Sequence, residues 1–460
     1  MALCQGIGVY QCAYADPIER EDRPLAYAAP CEAVQPESEF LKNINQQLKH
    51  TETAHQKILI EQFWQKIAAS HTPIVEQIND TTSRVIYLWR GAQHNVRLVG
   101  GPSNNHEWLT RLPNTDIWFK EVMVQNDFMG SYSFAADIQN IDGYLSHYCP
   151  HLNAELKESR EQRMALRKSF QLDPYNPQRL LPQEVPRLRN ENILALPQAP
   201  QFVDPKQYAV RSLQLQTLSL KSNILKNERE IKIYQSPKKA KQSYITAIFF
   251  DGHEYAALLN VPKALDILVE QGKLPPIQAV FIDPINAEIR PKELTPNAEF
   301  SQFFQKEFLP WLDQHIERDK QKTVLLGSSL GGLSAAYIAL ENPKEISHVV
   351  PLSGSFWWLK DAKDEPNGMS NIIRNGKQYT KQSWFISANS YETSHAHNEL
   401  SILNTSPVVA NDLKNKGHNV LFKTYTGGHS YALWQVVLQD ALQHFFGKNI
   451  QTITTVKSGK

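Results

Sequence analysis

The sequence predicts a mixed α/β protein in two parts, an N-terminal antiparallel β-sandwich and a C-terminal domain built on a largely parallel sheet. At 460 residues the chain is too long for a typical single domain. After residue 84, short β-branched and aromatic runs alternate with Gly, Asn, Pro and Asp, as in an antiparallel sandwich. The second half instead alternates apolar runs with amphipathic segments, which is typical of a parallel α/β sheet.

The overall composition excludes two classes of partner. Apolar residues make up 41% of the chain, which is enough to bury cores. Lys and Arg total 48 against 47 Asp and Glu, so the basic excess that nucleic-acid binding requires is missing. Mean hydropathy is −0.44, and no run approaches the roughly 18 apolar residues that span a bilayer. We expect neither a nucleic-acid partner nor a membrane partner.

Residues 1–40 are predicted to be a mobile arm or the remnant of an export signal. They combine mixed charge and prolines with little periodicity. Residues 13–15 (Ala-Tyr-Ala) resemble a signal-peptidase site, but no Lys or Arg precedes them. This favours a cytoplasmic protein. If residues 1–15 instead end a longer export signal, the alternative is a periplasmic protein in which Cys31 and Cys149 could pair.

The β-sandwich domain is predicted over residues 41–150. It begins with one helix between Phe40 and Ile67, where apolar residues recur at helical spacing. Five strand-like runs follow, at residues 85–89, 96–99, 117–119, 122–124 and 132–134.

A connector is predicted over residues 151–205, and the C-terminal domain over 206–460. The connector starts with a charged helix at 153–170 and becomes extended where seven prolines follow. In the C-terminal domain, strands are predicted at residues 244–250, 279–282, 323–326, 384–388 and 420–425. Helices are predicted near 261–271, 298–315, 333–340 and 434–446.

A nucleophile elbow is predicted at residues 327–331, Gly-Ser-Ser-Leu-Gly. The motif follows a strand and opens a helix rich in small residues. A nucleophilic serine at such a turn needs small neighbours, because the backbone doubles back at the tip of the strand. This context favours Ser329 as a nucleophile over a buried structural serine.

A serine nucleophile requires a base and an acid further along the chain. His429 is the predicted base, because it follows a strand and two glycines. The other histidines are less well placed: His315 and His348 lie within or beside regular elements, and His395 and His397 precede a polar helix.

Glu392 is the first carboxylate after the intervening strand and is therefore the predicted acid. Asp412 is the alternative.

The oxyanion formed during attack needs backbone donors. One should be the Leu330 amide, directly after the nucleophile. The second is predicted in the turn after the strand at 244–250, at Gly252 or His253.

The chain resembles the enterochelin esterase family in both halves. In the C-terminal half the resemblance is carried by residues 250–252, 274–276, Arg290, 293–294, 297–300, 307–310, 327–334, 352–358, 427–429 and Trp434. In the N-terminal half it is carried by residues 89–90, 115–118, 132–134 and 173–177. The family pattern usually has glycine where Asn389 stands, and Arg-Glu-Pro where residues 391–393 are Tyr-Glu-Thr.

The resemblance implies an α/β-hydrolase catalytic domain preceded by a smaller β-sandwich domain. It further implies a serine esterase that cleaves the trilactone of ferric enterobactin or a related catecholate siderophore, ferric or iron-free. No cofactor or resident metal is implied, because iron would enter with the substrate. The sandwich would then form a lid or a substrate wall over the elbow.

Some residues gain a binding role from this resemblance. Arg290 is the expected cation for an anionic siderophore. Trp357, Trp358 and Trp434 are expected to form aromatic walls for the catechol rings.

Two other functions remain open at this point. A general carboxylesterase or an acyltransferase would use the same fold and triad. A non-enzymatic binding protein would combine the sandwich with a degenerate hydrolase half, but the intact Ser329, His429 and their glycines argue against it.

Overall fold

The computed structural model describes residues 35–102, 107–139, 160–181, 188–208, 213, 215–239, 241–358, 368–376, 380–393 and 400–447. Residues 1–34 of the predicted arm therefore lie outside the described part of the chain. Within that part, no helix is long and apolar enough to cross a membrane.

Two helices, and not the one predicted, precede the sandwich. They are α1 (Glu39–Lys49) and α2 (Thr53–Ser70). The Ser38 side chain caps the start of α1, so the helix begins inside the segment predicted to be a mobile arm. The Gln56 side-chain amide donates to the backbone oxygen of Leu48 at 2.8 Å and satisfies the end of α1 where the chain turns.

Two antiparallel sheets form the sandwich. The strands are β1 (Ile74–Gln77), β2 (Thr82–Arg90), β3 (Val96–Gly100), β4 (Thr110–Arg111), β5 (Ile117–Gln125), β6 (Met129–Ala136), β7 (Phe170–Gln171) and β8 (Asn192–Ala195). One sheet has the order β1-β2-β5-β4, and in the other β6 pairs with β3, β7 and β8. The predicted strands 117–119 and 122–124 are one strand, because Lys120 and Glu121 continue its pairing with β2.

The segment predicted to be an extended connector contributes to the sandwich. Its helix α3 (Arg160–Lys168) ends before the predicted residue 170, and the predicted start at residue 153 lies outside the described part of the chain. Strands β7 and β8 pair with β6 despite the surrounding prolines. Buried polar groups hold the two strands together, because the Asn192 side chain accepts the Asp173 N–H at 2.7 Å and donates to the Asn176 carbonyl at 2.9 Å.

The C-terminal domain is built on one eight-stranded sheet. Its strands are β9 (Gln216–Ser222), β10 (Asn227–Gln235), β11 (Ile245–Phe250), β12 (Ile277–Ile282), β13 (Thr323–Ser328), β14 (His348–Leu352), β15 (Ser383–Asn389) and β16 (Asn419–Tyr425). The order is β16-β15-β14-β13-β11-β12-β10-β9. The first six strands in this order are parallel, while β10 and β9 form an unpredicted antiparallel hairpin at the edge.

Helices cover both faces of this sheet. They are α4 (Val261–Glu270), α5 (Arg290–Leu294), α6 (Ala298–Phe303), α7 (Leu309–His315), α8 (Leu330–Glu341), α9 (Gly368–Asn375), α10 (Ile402–Asn415) and α11 (Tyr431–Phe446). Single π-helical turns occupy Glu254–Leu258 and Phe304–Phe308. Because the central strands are parallel, their carboxyl ends meet at one edge, where open α/β sheets place their sites.

Two largely buried histidines make this fold sensitive to acid. Burial lowers the pKa of His348 and of His418 to about 4, against roughly 6.5 for a free histidine. Between these values the folded state binds fewer protons than the unfolded chain. The unfolding free energy should therefore be highest above about pH 6.5 and should fall as the pH drops toward 4.

We expect His418→Asn to reduce this pH dependence. Asn can still accept the Gln382 N–H that His418 Nδ1 accepts at 3.2 Å, but it binds no proton. The variant should be less stable than wild type at pH 7, because the ring contact with Trp384 is lost. The difference in unfolding free energy between wild type and variant should be smaller at pH 4.5. Urea midpoints at both pH values measure this, and an unchanged difference would contradict the assignment.

Candidate active site

The backbone of Ser329 is held in a strained conformation at the tip of β13. Its φ is 57° and its ψ is −121°, a region that non-glycine residues rarely occupy. Gly327 makes the turn feasible, because a Cβ there would lie 2.3 Å from the backbone oxygen of Gly331. This is the geometry of a nucleophile elbow, which presents the serine side chain at the edge of the sheet.

The Ser329 main chain is tied to the end of β14 and to the loop that follows it. Its N–H donates to the Leu352 carbonyl at 3.0 Å, and the Ser355 N–H donates to its carbonyl at 3.0 Å. The Ser329 Oγ lies 3.3 Å from the Ser355 Oγ. Among the described residues no hydrogen bond joins Ser329 to His429, which is common before a substrate aligns the catalytic groups.

His429 and Glu392 form the pair that the sequence predicts. The His429 Nδ1 lies 2.7 Å from the Glu392 Oε1, and the Glu392 Oε2 accepts the Asn389 N–H at 2.7 Å. The Glu392 side chain is 1% exposed, whereas that of His429 is 23% exposed. The buried carboxylate therefore fixes the orientation of the imidazole ring, while the ring itself stays partly accessible from outside.

The alternative acid and the other histidines are placed elsewhere. Asp412 lies on α10, where Ser370 and Arg374 hold its carboxylate. The His315 ring contacts the Trp311 carbonyl, and His348 packs against two phenylalanines. His395 and His397 lie outside the described residues.

The structure is compatible with two of the three predicted oxyanion donors. Leu330 is the first residue of α8, so its N–H has no acceptor within the helix. Gly252 remains the predicted second donor. Only glycine fits at this position, because a Cβ there would lie 2.6 Å from the Phe281 Cβ. His253 is excluded as a donor because its N–H already donates to the Asp283 carboxylate.

Arg290 does not supply an unpaired cation, contrary to the sequence-based expectation. Its Nε and Nη2 donate to the two carboxylate oxygens of Asp251, each at 2.6 Å. Burial lowers the pKa of Arg290, but the Asp251 carboxylate outweighs burial and raises it above its usual value. Because Asp251 begins the oxyanion turn with a φ of 53°, the ion pair braces that turn.

The three predicted aromatic walls have different surroundings. Trp357 and Trp358 are half-buried in the segment after β14. Trp434 is only 3% exposed and cannot form a substrate wall. Its indole N–H donates to the Ser353 Oγ at 2.9 Å and its ring meets the His429 ring edge-on at 4.7 Å, so it supports the histidine from behind.

Acidic groups surround the oxyanion turn. Burial raises the pKa of Glu254 to about 7, and the nearby Asp251 carboxylate adds to the rise. Burial also raises the pKa of Asp283 above its usual value, although the His253 N–H opposes the shift. Because Glu254 ionises near pH 7, this side of the site gains negative charge as the pH passes through neutrality.

Sequence reasoning missed Ser353 and underrated Asn389. Ser353 has a φ of 47°, and its Oγ accepts from the Trp434 indole and from the Asn389 side-chain amide, the latter at 3.2 Å. The same amide of Asn389 donates to the Gly428 carbonyl at 2.9 Å. The one sequence signal for this junction is the run of small residues at 353–355, Ser-Gly-Ser.

The described residues include no group of three or more His, Cys, Asp or Glu side chains arranged to hold a metal ion.

Both parts of the chain match models of known protein families. The family model described as "Enterochelin esterase, N-terminal" matches residues 84–204, and the one described as "Putative esterase" matches residues 222–445.

Individual relatives match over much of their length. An iron(III) enterobactin esterase from Dickeya dadantii is 28% identical over 428 residues, covering 83% of this chain and 92% of the relative. One from Yersinia enterocolitica is 29% identical, covering 68% of this chain and 91% of the relative.

A solved structure shares the fold. The Shigella flexneri enterobactin esterase, crystallised in the presence of enterobactin, superimposes with a TM-score of 0.66 at 24% identity. The match covers 84% of this chain and 97% of that one. With both family models matched in tandem and relatives aligned over most of their own length, the chain belongs to the enterochelin esterase family.

Proposed function

We propose that this protein hydrolyses the trilactone ester bonds of ferric enterobactin or a related catecholate siderophore through an acyl-enzyme at Ser329. The observation that carries the proposal is the 2.7 Å contact between His429 and the buried Glu392, at the same sheet edge as the strained Ser329. The names of the relatives point to the siderophore as substrate.

Acylation follows from the geometry of the elbow. The Ser329 Oγ attacks the ester carbonyl carbon, and the His429 Nε2 takes the hydroxyl proton as the new C–O bond forms. The Leu330 N–H, at the positive end of α8, stabilises the oxyanion together with the turn at Gly252. His429 then protonates the leaving alkoxide oxygen, the ester C–O bond breaks, and the acyl group stays on Ser329.

Deacylation reverses the proton transfers with water as nucleophile. His429 removes a proton from water, the hydroxide attacks the acyl carbon, and the proton passes to the departing Ser329 Oγ. The Glu392 carboxylate stabilises the imidazolium in both halves of the reaction. The product is a linear molecule with one new carboxyl and one new hydroxyl group.

The half-buried Trp357 and Trp358 support a catecholate substrate. They lie in the segment that directly follows the strand beside the elbow, and flat rings there can stack on catechols.

Ser329→Ala should abolish ester cleavage and leave the fold intact, because the change removes only the nucleophilic oxygen. Ferric and iron-free enterobactin are each incubated with wild type and variant, and the linear products are separated by chromatography. We expect the variant's turnover to fall by about 10⁴-fold or more.

The matched control is Ser334→Ala, which removes a buried serine hydroxyl from the helix that Ser329 opens. It should keep near-normal turnover. Cleavage by Ser329→Ala above about a hundredth of the wild-type rate would contradict the nucleophile assignment. Transfer of the acyl group to an added alcohol in preference to water would favour the acyltransferase alternative.

Glu392→Gln should reduce turnover about 10³- to 10⁴-fold, because the amide keeps the shape but favours the wrong histidine tautomer. Asp412→Asn should leave turnover almost unchanged, since that carboxylate bonds to Ser370 and Arg374. Turnover of a small activated ester measures both. A small loss of turnover in Glu392→Gln together with a large loss in Asp412→Asn would transfer the acid role to Asp412.

Glu254 should make the hydrolysis of anionic substrates depend on pH near neutrality. Its pKa is about 7, so the ionised form that repels an anionic ferric siderophore accumulates above that pH. The ratio of kcat/KM for the siderophore to kcat/KM for a neutral ester should decline between pH 6 and 8. Glu254→Gln should remove this decline, whereas the exposed Glu270→Gln should not. Equal slopes in all three proteins would refute the effect.

A further inference from the structure

The sandwich domain contacts the loop that carries His429. The Met129 N–H, at the start of β6, donates to the Thr426 carbonyl at 3.0 Å. The approach is so close that a Cβ at Gly427 would lie 2.2 Å from the Met129 carbonyl oxygen. A Cβ at Gly428 would lie 2.9 Å from the carbonyl oxygen of Pro102. The two glycines before the histidine therefore serve the domain contact as well as the turn.

A chain of hydroxyl groups crosses the same contact and ends beside His429. The Ser131 Oγ on β6 lies 2.7 Å from the Ser430 Oγ, and both serines are buried. Ser131 donates to the Glu191 carboxylate, which leaves Ser430 as the donor to Ser131. The Ser430 Oγ in turn accepts the Ala432 N–H at 3.1 Å, as the N-cap of α11.

The acid turn is held from the same side. The Tyr391 ring meets the Phe128 ring edge-on, with centroids 5.6 Å apart. The Tyr391 N–H donates to the Gly427 carbonyl at 3.0 Å, so the turn bearing Glu392 and the loop bearing His429 are joined directly. Both members of the pair therefore rest on the β5–β6 end of the sandwich.

We propose that Ser131 is a positioning residue for the catalytic histidine, acting across the domain contact through Ser430. Without its hydroxyl, the buried Ser430 O–H loses its acceptor and the Glu191 carboxylate loses a donor. The loop between Thr426 and Ser430 is then less constrained, and a shift of about 1 Å in a catalytic group can cost on the order of 100-fold in rate. The inference rests on the proposed serine-esterase chemistry but not on the identity of the siderophore.

The test compares Ser131→Ala with Ser133→Ala in the full-length protein. Ser133 lies two residues further on the same strand, is 1% exposed, and its Oγ forms no hydrogen bond within the described structure. A p-nitrophenyl ester provides kcat and KM, and a fluorophosphonate probe provides the rate at which Ser329 is labelled. We expect Ser131→Ala to lose about 10- to 100-fold in kcat and in labelling rate, with KM within about twofold. Ser133→Ala should match wild type.

A mutant cycle with Ser430→Ala separates positioning from general loss of stability. If Ser131 acts through Ser430, adding Ser131→Ala to Ser430→Ala should change kcat less than about twofold. A kcat for Ser131→Ala within twofold of Ser133→Ala, or a full extra loss in the double variant, would overturn the proposal. A wild-type protein that neither cleaves the ester nor reacts with the probe would instead overturn the proposed function.

Discussion

The backbone conformation of Ser329 is the constraint on which the rest of the site depends. A non-glycine residue at a φ of 57° and a ψ of −121° costs on the order of 1–3 kcal/mol, which the surrounding structure must offset. The offset comes from the missing side chain at Gly327 and from two backbone hydrogen bonds, one to the last residue of β14 and one to the loop after it. As a result the serine side chain, the first N–H of α8 and the ends of the central strands converge on one point.

The charges around the oxyanion turn stabilise the turn itself. Arg290 is neutralised by Asp251, and the Asp283 carboxylate is occupied by the His253 N–H. The cation expected to attract an anionic siderophore is therefore engaged within the protein. Recognition of an anionic substrate has to rely more on aromatic surface and on the helix N-terminus, both of which retain their effect without a free guanidinium.

Local patterns predicted the elbow, the histidine and the acid because each is set by short-range chemistry. Ser329 needs glycines within two residues, and His429 and Glu392 each follow a strand of the parallel sheet.

The pairing of Arg290 with Asp251 could not be predicted, since it joins residues 39 positions apart through the tertiary fold. The β9–β10 hairpin was missed because most residues of its two strands are polar. The single helix expected before the sandwich is two, because the Gln56 side chain stabilises a break that periodicity does not reveal.

Two of the three positions that differ from the usual family pattern, Asn389 and Tyr391, form contacts that hold the triad. Asn389 stands where glycine is usual, and its side-chain amide bridges the Ser353 hydroxyl to the Gly428 carbonyl, a contact that glycine could not make. Tyr391 stands where arginine is usual and packs on Phe128 of the sandwich. A packed aromatic ring supports the acid turn without placing a positive charge beside Glu392, so position 391 supplies no cation that would compete with the His429 imidazole for that carboxylate. In this chain the sandwich domain therefore supports the catalytic pair by packing and hydrogen bonds, in addition to any role as a lid over the substrate.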